Sequence, residues 1–193
     1  MKNLLFGLMA TVLFAFIGNA QTSEEEWKKM IENVKTQTED ILTKECPKDL
    51  DLKKFKAKLF TGEEKLSAEG YDKILSLSKP LKDYGLEYVK ANKLTYEDDN
   101  ELIFYSSFAP NLLINDADST TLPDNYGNQT FRSVLGCAME ALGLDLLYAS
   151  AFEGAVKWGT RAIVKAFTRI ATRFLGPVGV VIAVGSFTWC ITH

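Results

Sequence analysis

The chain has 193 residues, 47% hydrophobic and 24% charged, with a formal net charge of −3 at pH 7. That is enough apolar material for one ordinary core, and the acidic balance, with no basic run carrying interleaved aromatics, argues against nucleic acid as a partner. The lone histidine is His193, the final residue, so a Ser-His-Asp or Cys-His site would rest on a fraying terminus.

Residues 1–20, MKNLLFGLMATVLFAFIGNA, read as a signal peptide. Lys2 supplies the positive start, Leu4 to Ile17 the apolar stretch, and Gly18-Asn19-Ala20 the small residues at a cleavage site. The run is shorter than the ~20 residues of a spanning helix. The expectation is a secreted or periplasmic protein.

Residues 21–109 form an acidic helical region. Ser23-Glu24-Glu25-Glu26 is a capping-box pattern, and Trp27, Ile31, Val34, Ile41 and Leu42 follow at helical spacing until Pro47. Leu50 to Phe60 predicts a second helix, stopped at Thr61-Gly62. Ser67 to Ser78 and Pro80 to Asn92 predict two more, the latter begun by a first-turn proline. The stretch ELIFYSSFA, 101–109, suits a strand or a buried helix. With no second strand to pair with, it reads as helix or irregular structure. Residues 110–130, rich in Asn, Asp, Thr, Pro and Gly, read as a linker.

The remainder, 131–193, is apolar and mildly cationic. Residues 21–130 hold 15 Lys/Arg against 22 Asp/Glu, a net of −7, whereas 131–193 hold 6 against 3, a net of +3. Three helices are expected, over about Phe131 to Ala151, Phe152 to Leu175 and Val178 to Cys190, with Gly176-Pro177 as the break between the last two. The middle one carries Lys157, Arg161, Lys165, Arg169 and Arg173 at a strict spacing of four. Each step of four turns about 40° past a full circle, so the cations wind slowly along one side, opposite an apolar, aromatic face. Such a helix suits an anionic membrane surface, and Lys157, Trp158, Arg161, Lys165, Arg169, Arg173 and Trp189 are the candidate lipid contacts. The same spacing suits a solvated face on a helix whose other side packs inward. The final helix is apolar all round, which places it either at the centre of a protein or in lipid.

Three cysteines, Cys46, Cys137 and Cys190, allow three single pairings. In an exported chain an oxidised pair is expected. Cys137–Cys190 is preferred, because the two bracket the apolar tail, and Cys46 is then a free thiol or an intermolecular partner. No metal or cofactor signature is present: there is no CxxC, no nucleotide-binding glycine loop and no EF-hand order. Glu97, Asp98, Asp99 and Glu101 read as a solvated acidic loop.

An export signal, an acidic body, a linker, and Gly/Ala-rich helices between Cys137 and Cys190 together resemble bacteriocin-type secreted precursor proteins. In those, a carrier region precedes a compact membrane-active peptide. The chain has no Gly-Gly processing site before the tail and no dibasic pair in 110–130. The expectation is an all-α, non-enzymatic protein with small amphipathic helices around an apolar C-terminal helical hairpin. The resemblance implies a secreted bacteriocin-like role in which the tail engages membranes. The alternative is a secreted soluble helical binding or structural module with the final helix as its core. A protein partner is not indicated by the residues.

Overall fold

The computed structural model describes residues 22–110, 137, 141–142 and 160–192, with side chains of the last segment described from 164 to 190. Among the described residues the fold is all-α, with no strand.

Helix α1 spans Glu24–Glu45. Ser23 accepts from the Glu26 N–H, and the Glu26 carboxylate accepts from the Ser23 N–H at 3.0 Å, so the expected capping box closes on itself. Trp27, Ile31, Val34, Thr38 and Leu42 are its buried stripe, at steps of three and four that keep them on one face. Helix α2 spans Leu52–Thr61, begun by Asp51, whose carboxylate accepts from the Lys54 N–H at 2.8 Å, and buries Phe55, Leu59 and Phe60.

Helix α3, Ala68–Ser76, is capped by Ser67. Helix α4, Ser78–Ala91, follows after Leu77 alone. Pro80 therefore stands inside the first turn of α4 rather than at its start. It is tolerated there because the first backbone N–H groups of a helix have no intrahelical acceptor to lose.

The ambiguous stretch resolves as helix: α5 spans Asp99–Tyr105 and is capped by Asp98. Residues Glu101 to Phe108 are all buried, so α5 and the turn after it lie inside the molecule. The exit is fastened twice. The Trp27 indole N–H donates to the Ser106 carbonyl, and the Tyr84 hydroxyl to the Phe108 carbonyl, each at 2.9 Å. Polar backbone in the interior thereby keeps its partners.

Helix α6 spans Thr160–Leu175 and α7 spans Pro177–Thr192. Gly176 forms the corner between them, at φ +55°, in the left-handed region where a side chain would be strained. The two helices then close tightly: a Cβ added at Gly179 would lie 1.9 Å from the Ala171 carbonyl oxygen. The expected linker 110–130 and nearly all of the expected helix over 131–151 lie outside the described residues, as do residues 152–159.

Helix α7 is the centre. It packs against α1, α3, α4, α5 and α6, and every residue from Val178 to Val184 is buried. Phe187 joins Phe104 of α5 and Phe167 of α6 in an aromatic cluster, with ring centroids 4.3 to 5.7 Å apart. These are the separations at which offset or tilted rings attract. A helix apolar on all sides needs apolar partners on all sides, and the amphipathic helices supply them.

Candidate functional site

Of the expected cationic stripe, the described side chains are those of Lys165, Arg169 and Arg173. Lys157 and Trp158 lie outside the described residues, and Arg161 is placed by its backbone alone. Lys165 is paired with Glu97, near the start of α5. Arg169 lines a hollow of about 210 Å³ with Glu97, Asn100 and Glu101. Arg173 is exposed, its guanidinium 5.1 Å from the Phe174 ring, and that ring is itself 50% exposed. Trp189 belongs elsewhere, on the side of α7 that meets α1 and α2.

The hollow by α5 is mixed in charge. Glu101 is only 3% exposed, and its carboxylate accepts from the Glu97 N–H at 2.8 Å. Burial pushes the Glu101 carboxyl above its ordinary value, and that hydrogen bond works against the rise. Among the described residues, no group of His, Cys, Asp and Glu side chains has the arrangement to hold a metal ion. A groove of about 550 Å³ between α1 and α3 is also mixed. Within it Lys73 pairs with Glu69, and Glu45 accepts from Ser67 through both the backbone N–H and the hydroxyl.

The third concavity differs. It measures about 570 Å³ and lies between α1, α2 and the end of α7. Lys35 and Glu39 come from α1, Leu52, Lys53 and Lys56 from α2, and Trp189 with Cys190 from α7. Three lysines and one glutamate thus contribute to its lining. Lys35 Nζ stands 3.4 Å from the Trp189 ring centroid, a cation–π contact. Lys56 is the most enclosed of the cations, its side chain 16% exposed. Its ammonium has two long contacts, 3.9 Å to Glu39 Oε1 and 3.4 Å to Ser186 Oγ. Burial lowers the Lys56 pKa, Glu39 opposes that shift, and Lys35 adds to it.

The end of α7 is anchored by the expected disulfide. Cys137 and Cys190 are bonded, with Cα atoms 5.4 Å apart, inside the range a disulfide requires. Cys46 is the free thiol among the described residues, half-buried, and donates to the Leu50 carbonyl at 3.2 Å.

Sequence reasoning singled out Trp189 but passed over Lys35, Glu39, Lys53 and Lys56, which read as polar faces of α1 and α2. Their local signal is the spacing of four in α1 and three in α2, which sets each pair on one face. Nothing local links either pair to a tryptophan more than 130 positions away. Comparison with protein families, curated proteins and solved structures gives no match.

Proposed function

We propose that this protein is an exported, non-catalytic helical binding module, built around α7 as its buried core. The burial of Val178 to Val184 among the helices supports this reading most directly. Drawing α7 into lipid would strip five helices of their shared apolar partner. Among the described residues no helix is long and apolar enough to cross a membrane. α7 itself, at 16 residues, reaches roughly 24 Å against a ~30 Å hydrocarbon layer.

A second reading is favoured by the exposed end of α6. Arg169, Arg173 and Phe174 are all exposed there, cations beside an aromatic ring, as on helices that lie on anionic lipid. In that reading the protein is membrane-active and bacteriocin-like, with α6 making first contact.

One experiment separates the two. The full chain, oxidised, is added to dye-loaded vesicles of phosphatidylglycerol and phosphatidylcholine. Its urea unfolding is followed in parallel by far-ultraviolet circular dichroism and by tryptophan fluorescence. The binding-module reading expects no dye release and coincident unfolding transitions. Dye release by the folded chain would overturn it in favour of the second.

A further inference from the structure

We propose that the cleft between α1, α2 and α7 binds a small organic carboxylate with a flat apolar body, its anion on Lys56 and Lys35 and its body against Trp189. This rests on the binding-module reading and names its ligand class.

Size comes first. At about 570 Å³, the cleft falls within the roughly 300–1,000 Å³ typical of small-molecule sites. The state of the Lys56 ammonium then points to an anion. A lysine ammonium offers three hydrogens, and the contacts of Lys56 are an ion pair at 3.9 Å and a hydrogen bond at 3.4 Å. Removing a cation from water is costly unless close acceptors replace the water, and neither contact is close. A ligand carboxylate entering beside Ser186 would supply a shorter acceptor than either of these contacts.

Charge sets how much anion the cleft takes. The ammonium groups placed in the cleft by their contacts, Lys35 and Lys56, exceed the Glu39 carboxylate by one charge, so a single negative charge is favoured. A dianion would be brought up against the Glu39 carboxylate in the same wall. The cleft also lacks an arginine among its described lining residues, and so lacks the planar fork that grips phosphate at two points.

The rest of the lining sets the body of the ligand. Leu52, Trp189 and the bonded Cys190 are its apolar surfaces. Trp189 is 46% exposed, although Val178 to Gly185, Phe187 and Thr188 of the same helix are buried. A large aromatic left partly open beside a cation suits a flat apolar group carrying a carboxylate at one end.

The test is calorimetric titration of the intact, oxidised chain with 2-naphthoate at low salt. The neutral 2-naphthamide and the dianionic 2-naphthyl phosphate serve as comparison ligands. Naphthoate should bind, the amide should bind at least about tenfold more weakly, as expected for losing a charge-assisted hydrogen bond, and the phosphate should not exceed the carboxylate. Lys56→Met should cost about tenfold in affinity for the same reason. Lys35→Met provides a second measure should the first variant fold poorly. Lys54→Met, which alters a lysine outside the cleft, should leave binding unchanged. The proposal is overturned by the absence of heat at millimolar naphthoate, by equal binding of the amide, by tighter binding of the phosphate, or by unchanged affinity in folded Lys56→Met. Those results would leave α7 as the core of a soluble fold, which the vesicle experiment decides separately.

Discussion

Glu101 shows what a single buried carboxylate does to this fold. It lies in the first turn of α5, 3% exposed, with Glu97 and Asp98 close by and Lys165 offering partial compensation. Because burial raises its folded pKa, the native state holds this proton to higher pH than the unfolded chain does. Its stabilising contribution is therefore complete below the ordinary carboxylate value and is lost as pH rises toward the raised folded value. A Glu101→Gln variant, which keeps an acceptor for the Glu97 N–H, should gain stability over the parent at pH 7. The gain should vanish in mild acid, where both side chains are neutral. Urea midpoints of the two proteins across pH check this. Gly179 is the second decisive residue. Its missing Cβ would lie 1.9 Å from the Ala171 carbonyl oxygen and 3.1 Å from Leu175 Cβ. The first of these is backbone, so α6 and α7 would have to part. Gly179→Ala should cost at least about 1–3 kcal/mol, the usual range for overpacking, read as a lower urea midpoint at unchanged slope.

At the scale of elements, α1 and α2 were legible because their signals are local. A capping serine, a glutamate three residues on and a periodic apolar stripe need no tertiary information. The region over 101–109 was not, because a stretch buried on every side loses the periodicity that distinguishes helix from strand. Asp98 as a cap was the available clue, and it was absorbed into an acidic run. The stripe on α6 could be read as a stripe, but not for what it faces. Lys165 meets Glu97 and Trp189 meets Lys35 only after folding, so the candidate cleft was hidden while one of its walls was in plain view. The disulfide was legible because its two cysteines bracket the tail. It joins residues 53 positions apart and fixes the end of α7. On the chain-entropy account, closing a loop of that size stabilises by about 4 kcal/mol. Cys190→Ser should therefore lower unfolding stability by up to that amount, measured by urea denaturation. Adding reductant to the parent should reproduce most of the loss.

For the molecule as far as it is described, charge and hydrophobicity are separated by depth as well as along the chain. The ion pairs of the acidic region are mostly exposed contacts within one helix, such as Lys28–Glu24 and Lys29–Glu25. Pairs of that kind contribute a few tenths of a kcal/mol and serve mainly to keep the outer faces in water. Cohesion comes from α7, which α1, α3, α4, α5 and α6 all share. This arrangement has a consequence in time. α1 ends at Glu45 and α7 begins at Pro177, so about 130 residues separate the two, or roughly six to twenty-six seconds of synthesis at ordinary ribosomal speeds. Over that interval the apolar stripe of α1, joined in turn by those of α2 to α5, exists without the helix that covers it. A nascent chain in this state is a natural client for a chaperone, and its vulnerable period ends only when α7 arrives.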